Sequence, residues 1–442
     1  MFRKTPIAWL CAALFAASAS YAATPATAPL DAAGIDGAGQ QRADARLALM
    51  PELGVNDADF PLESMAISEG DLWERIRNGF SIPELNSPLV ARHAASYAAH
   101  PEAFERLGLR ASRYLFYVVQ ELEKRGMPTE LALLPVIESG FNPNAYSHAK
   151  AAGMWQFIPS TGLRYNLKQN AFRDERRDVV ASTNAALNYL EQLYGMFGDW
   201  QLALAAYNWG EGSVRKAIAR ARAAGKGTDY LSLSPYMPAE TRNYYPKLQA
   251  VKNIVALPAR YQIRLPEIEN QPYFTSVRKT RDIDVKLAAE LAEMPLEEFK
   301  ALNPQFNRPV ITGSPDTQIL LPHFNAERFT ENLANWTRTL SSWTSLRISA
   351  ARERIETIAA RFKTTPQIIR DANAIPANMQ PTAGSTLIVP KTSIEAAEIG
   401  AEIADTAVLG LVPEGGARRA ARAVKRDART KPSARARRTN TR

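Results

Sequence analysis

The sequence predicts a mainly α-helical domain followed by two small strand–helix–helix–strand repeats, and three observations carry that expectation. From about Pro128 to Pro258 apolar residues recur at helical spacing, with no strand–helix–strand series between them. After Pro258 the texture changes to a pattern of about 50 residues that occurs twice, over 272–322 and 345–391. The net charge of +9 is also confined to one end: from Pro413 onward eleven Lys and Arg stand against Glu414 and Asp427 alone, so the rest of the 442-residue chain is neutral. A neutral body gives no footing for nucleic-acid binding, and a doubly wound nucleotide fold is not expected.

Taken in order, Arg3 and Lys4 precede an apolar run from Ile7 to Ala17, with small residues around Ala19 and Ala22. That is the layout of a cleavable secretory signal over 1–22; the run falls short of the roughly 20 residues that a membrane span needs. The single cysteine, Cys11, lies inside this run behind Leu10 rather than a small residue. Lipidation is therefore not expected, and neither are disulfides in an exported, periplasmic chain. Residues 23–60, rich in Ala, Gly and Pro, read as a linker.

A helical segment occupies 61–107, where Leu72, Trp73 and Ile76 mark one helix that stops at Gly79. Phe104 to Arg125 carries the apolar stripe Leu115, Val118, Val119 and Leu122 and reads as one helix, closed by Gly126; Pro128 starts the next. Further helices fit Asp178 to Tyr194, Trp200 to Tyr207, Glu211 to Ala224 and Ala239 to Val255. In the repeats, Leu287-Ala-Ala-x-Leu291, Pro295 and Asn303 echo Ile358-Ala-Ala-x-Phe362, Pro366 and Asn373. Each copy ends on an apolar segment closed by proline, Ile319-Leu-Leu-Pro322 and Leu387-Ile-Val-Pro390. Residues 392–442 read as a disordered basic tail, which suits either contact with anionic envelope polymers or simple solvation without a partner.

Three stretches bear chemistry: Glu138-Ser139-Gly-Phe-Asn142-Pro-Asn144-Ala-Tyr-Ser147, Gly153-Met154-Trp155-Gln156, and Ala206-Tyr207-Asn208. Glu138 ends a helix amid Leu133, Leu134, Val136, Ile137 and Phe141, with Gly140 as its cap. Desolvation and the negative end of the helix dipole both hold a proton on such a carboxyl, which is what a general acid needs. Alone, Glu138 reads first as a half-exposed carboxylate at a helix end. The amides of Gln156 and Asn208 and the phenol of Tyr207 add groups that bond sugar hydroxyl and acetamide groups, although core packing and loop capping use the same residues.

These stretches resemble the lytic transglycosylase family, which shares a lysozyme-like fold with goose-type lysozymes. The family's Glu-Ser motif is met by Glu138-Ser139, its Gly-Leu-Met-Gln motif by Gly153-Met154-Trp155-Gln156, and its Ala-Tyr-Asn motif by Ala206-Tyr207-Asn208. A later tyrosine after Glu-Thr is met by Glu240-Thr-Arg-Asn-Tyr244. The likeness is strong over 108–262 and weaker over 60–107, and four ordered motifs are far more specific than any one. It implies a lysozyme-like catalytic domain with Glu138 as the catalytic acid and base. It also implies Ser139, Ser147, Met154, Gln156, Tyr207, Asn208 and Tyr244 as substrate-binding residues, and peptidoglycan glycan strands as substrate. The repeats resemble LysM glycan-binding modules, the 345–391 copy more than the degenerate 272–322 copy, although Ala351-Arg-Glu-Arg354 departs from the usual Ser-Gly-Asp.

The resemblance further implies cleavage without water: one carboxyl protonates the oxygen between N-acetylmuramic acid and N-acetylglucosamine, then withdraws the proton of the sugar's 6-hydroxyl to close a 1,6-anhydro ring. A hydrolytic muramidase would need a second carboxylate, with Asp174, Asp178, Asp199 and Glu211 as candidates. An inactive wall-binding protein would not need Glu138. No metal or cofactor is implied, since His93, His100, His148 and His323 lack paired ligand spacing.

Overall fold

The computed structural model describes residues 70–314, 316–349, 353–393 and 396–414. The signal, the linker, the start of the 61–107 segment and the basic stretch from 415 onward lie outside the described residues.

The helical domain is built around Val179–Phe197, Trp200–Trp209, Glu211–Ala223 and Ala239–Ala256. Asp178 and Asp199 accept backbone N–H bonds at the start of the first two, from Ala181 and Leu202, and Gly198 ends the first in a left-handed conformation. The helix expected over Phe104 to Arg125 is two helices, Pro101–Ala111 and Leu115–Lys124. The break turns Tyr114 inward, where it is 2% exposed and its hydroxyl donates to the Ala301 carbonyl at 2.8 Å. The Leu72–Asn78 helix, capped by Asp71, closes on the segment that leaves the domain: the Leu72 N–H reaches Ile268 O at 3.0 Å and the Trp73 indole reaches Pro266 O at 2.8 Å.

Both repeats fold as expected, and alike. Strand β1 (Phe274–Arg278) and β2 (Ile283–Asp284) are followed by helices Val285–Leu291 and Leu296–Leu302, then β3 (Val310–Ile311) and β4 (Gln318–Pro322). β4 pairs antiparallel with β1, and β3 with β2. In the second copy β5 (Trp343–Arg347), helices Ile355–Arg361 and Pro366–Asn373, β6 (Met379–Pro381) and β7 (Thr386–Pro390) follow, with β5 and β7 paired antiparallel. The shared asparagine explains itself. Asn303 donates to Phe299 O and Leu320 O and accepts from Leu320 N, while Asn373 does the same with Ile369 O, Ile388 O and Ile388 N, all at 2.8–3.0 Å. Each is a buried amide with its partners in place, pinning the second helix to the last strand.

The unbroken apolar runs of β4 and β7 have a common cause, burial on both faces. Ile319 and Leu321 point into the repeat core while Leu320 joins the core of the helical domain; Leu387 and Val389 point into the second repeat while Ile388 packs with Ala171 and Phe172. Beyond the second repeat the structure corrects the expectation of disorder from 392 onward. Residues 396–414 carry a helix, Ala401–Thr406, and a strand, β8 (Leu411–Pro413), paired with β6. Ile399, Ala404 and Ala407 are each 2% exposed and anchor this stretch.

Candidate active site

Glu138 stands in the last turn of a six-residue helix, Leu134–Ser139. The helix expected from Pro128 begins as a 3₁₀ stretch, Thr129–Leu133, because Pro135 has no N–H to offer. Gly140 ends it at φ 60°, its N–H returned to the last turn, and Phe141, at φ 55° and 1% exposed, plugs the core beyond. The left-handed pair turns the chain back sharply, which holds the half-buried Glu138 at the end of a helix rather than along one.

The second motif is stitched to the first. The Ser139 hydroxyl donates to Met154 O at 2.9 Å and accepts from Asn142 N at 3.2 Å. Gly153 N donates to Ala145 O at 3.0 Å. Gly153 lies at φ 85° with its Cα against the backbone of Arg176; a Cβ there would meet Arg176 O at 1.8 Å, so no other residue fits. Gln156 is also left-handed, at φ 52°, and its amide nitrogen donates to Gly153 O at 2.8 Å. Met154 and Trp155 are 1% and 0% exposed. The Met154 side chain is thus buried, and its carbonyl accepts the Ser139 hydroxyl. Ser147 caps its own turn by accepting from Ala151 N at 3.0 Å.

The third motif closes the other side. The Tyr207 hydroxyl donates to Trp155 O at 2.9 Å, and Asn208 accepts from the buried Thr241 hydroxyl at 2.7 Å while its amide nitrogen reaches Glu240 at 3.3 Å. Tyr244, on the Ala239–Ala256 helix and 5% exposed, donates its hydroxyl to Glu138 Oε1. Desolvation dominates the electrostatics. It pushes the Glu138 carboxyl up to about 7; the Tyr244 hydrogen bond and Lys247 pull it down, and the Glu240 charge pushes it up. Tyr207 and Tyr244 are driven well above the usual phenol range by burial and then by the Glu138 charge, so both remain hydrogen-bond donors at any working pH.

Thus Glu138, Ser139, Gln156, Tyr207, Asn208 and Tyr244 belong to motifs that these bonds tie together, whereas the Ser147 hydroxyl bonds within its own turn. The four carboxylates weighed for a hydrolytic partner all have other tasks. Asp174 chelates Arg176, Asp178 and Asp199 cap helices, and Glu211 pairs with Arg164 and Tyr189. The carboxylate whose charge reaches Glu138 is Glu240, which sequence reasoning treated only as a motif letter. Its position four residues before Tyr244, one helical turn away, was the available signal.

A carboxyl raised to about 7 at a helix end and bonded by a buried phenol is placed to give and take a proton near neutral pH. Residues 117–229 match the family model of the transglycosylase SLT domain, and residues 273–337 match that of the "Lytic transglycosylase MltD, LysM-like domain". The chain therefore carries a lysozyme-like transglycosylase SLT domain followed by a LysM-like region. The second match falls on the copy that departs further from the LysM pattern and runs into the following helix, His323–Ala334. Among relatives, the chain is 38% identical over 268 residues to membrane-bound lytic murein transglycosylase D of Escherichia coli (strain K12), covering 60% of this chain and 59% of the relative. It is 26% identical over 197 residues to membrane-bound lytic murein transglycosylase C of Glaesserella parasuis, covering 39% and 50%. The chain thus spans about three-fifths of the length of the first relative.

Proposed function

We propose that this protein is a lytic transglycosylase that cleaves the β-1,4 bond between N-acetylmuramic acid and N-acetylglucosamine in peptidoglycan, with Glu138 as its one acid and base. The observation that carries the reading is a carboxyl poised at about 7 and held by the Tyr244 hydroxyl. At neutral pH such a group is protonated in a large fraction of molecules, yet ionises readily once its proton is given.

In the first step Glu138 passes its proton to the glycosidic oxygen, the bond from that oxygen to the muramoyl C1 breaks, and the sugar's acetamide supports the charge left on C1. In the second, the Glu138 carboxylate takes the proton of the 6-hydroxyl as its oxygen bonds to C1. The carboxyl is regenerated, a 1,6-anhydro ring is formed and no water enters. Gln156, Tyr207 and Asn208 hold the sugar, and Tyr244 orients the carboxyl. Glu138→Gln keeps size and shape without a transferable proton. Its rate of clearing purified sacculi is expected to fall by roughly 10²–10⁴-fold with the circular dichroism unchanged; a well-folded variant near the original rate refutes the assignment.

Hydrolysis of the same bond is the rival reading, and Glu240 is the carboxylate it would enlist, because its charge is felt at Glu138. The LysM-like region supports retention on glycan, and the proposed compartment is the periplasm, reached by the 1–22 signal. No helix among the described residues is long and apolar enough to cross a membrane.

A further inference from the structure

The loop 168–177, between the Pro159–Arg164 and Val179–Phe197 helices, faces two ways. Toward the site, Arg176 is 4% exposed and ion-paired with Asp174 at 2.7 Å. Its guanidinium donates to Lys150 O at 2.7 Å and Phe157 O at 3.1 Å, on either side of the Gly153–Gln156 turn, and its own carbonyl abuts Gly153. Gln169 donates to Pro159 O at 3.0 Å. Away from the site, the same loop is held by residues far along the chain. Asp405 accepts from Arg173 at 2.6 Å and from Lys168 at 3.2 Å, and its carbonyl accepts from Asn170 at 3.2 Å. Ala171 N donates to Ala407 O at 3.0 Å, and Phe172 packs with Ile388, Ile399, Ala404 and Ala407. From the first repeat, Gln305 O accepts from Asp174 N at 2.9 Å and Asn307 N donates to Phe172 O at 2.7 Å.

We propose that Asp405 is a positioning residue for the second motif: the Ala401–Thr406 helix, downstream of both repeats, latches loop 168–177 and through Arg176 fixes the Gly153–Gln156 turn. The latch rests on contacts alone; its consequence for glycan rests on the function proposed above. A loop with four cationic residues, Lys168, Arg173, Arg176 and Arg177, repels itself unless carboxylates are interleaved, and Asp405 is the one supplied from outside the loop's own sequence neighbourhood. The C-terminal segment is thereby part of the catalytic framework rather than an appendage to it.

The test uses the full chain with Asp405→Ala, the conservative Asp405→Glu, and Ala404→Arg, which forces the helix off its apolar seat. Hydrogen exchange at the amides of Gly153 and Phe157, bonded to Ala145 O and Ala152 O, is read together with trypsin cleavage inside 168–177. Both are expected to accelerate roughly tenfold in Asp405→Ala and further in Ala404→Arg, with Asp405→Glu close to the parent. On glycan fragments KM should rise several-fold in the first two, with the descending limb of the kcat pH profile unmoved because Glu138 keeps its own partners. Unchanged exchange at Gly153 and Phe157 in both variants overturns the proposal, as does faster exchange with an unaltered KM. A parent protein that does not cleave glycan overturns the proposed function instead and leaves the exchange result standing.

Discussion

Replacing Tyr244 by phenylalanine isolates what one hydroxyl does for the acid. In the parent the Tyr244 hydroxyl donates to Glu138 Oε1, and this bond is the larger of the two influences that lower a carboxyl otherwise pushed up by burial. A hydrogen bond to an ionised group contributes about 1.5–3 kcal/mol and one to a neutral group about 1 kcal/mol, so the carboxylate form loses about 0.5–2 kcal/mol more than the acid form. At 1.36 kcal/mol per unit, the Glu138 carboxyl should rise by roughly one unit from its value near 7. The descending limb of kcat/KM against pH should move upward by that amount. The plateau rate should fall roughly tenfold or more, because the stronger-held proton is a poorer one to donate and the carboxyl loses its orientation. The assay is initial rate on soluble glycan fragments from pH 5 to 9, with substrate held well below KM. A limb that stays in place or moves downward refutes the electrostatic account of the site.

Three further outcomes follow from particular contacts. Glu138→Gln should gain stability over the parent as pH rises: a carboxyl whose folded value lies above its unfolded one contributes fully below about 4.5, and its contribution is lost as pH rises through about 7. The gap between the two proteins in urea melts at pH 8 and pH 4.5 should be roughly 1–3 kcal/mol, less where water reaches the carboxyl. Gly153→Ala drives a Cβ into Arg176 O at 1.8 Å in a left-handed conformation, and should lower stability by about 3 kcal/mol or more, read as a drop in Tm and in clearing of sacculi. Arg308, 7% exposed and, among the described residues, donating only to Asn307 O at 3.4 Å, has its guanidinium lowered to about 10 by burial; Arg308→Met should leave Tm unchanged or raise it, and a fall of several degrees would show that the buried charge is compensated.

Local signals foretold most of the framework. Helices start at Leu72, Val179 and Trp200, within a residue of where periodicity placed them, and both repeats have the strand–helix–helix–strand order read from their shared residues. The site constellation was legible as residue types in four motifs, because their chemistry needs those types. The failures are tertiary. Periodicity runs through residues 112–114 without interruption, yet the chain breaks there because Tyr114 finds a buried acceptor on the first repeat. The Gly153 requirement comes from Arg176, more than twenty residues on, and the order of 396–414 depends on Phe172 and Ile388. The composition of 396–414, rich in alanine, announces neither partner. That the Met154 side chain is buried while its carbonyl accepts the Ser139 hydroxyl is likewise set by tertiary packing.

The central claim is that Glu138 closes an anhydro ring without water, and the mass of the products tests it most directly. Sacculi digested with the purified protein in H₂¹⁸O and analysed by mass spectrometry are expected to release disaccharide peptides ending in 1,6-anhydro-muramic acid. These should be one water lighter than the products of a hydrolase and free of ¹⁸O at the new end. Reducing-end products carrying ¹⁸O would contradict the account and point to a hydrolytic role for Glu240.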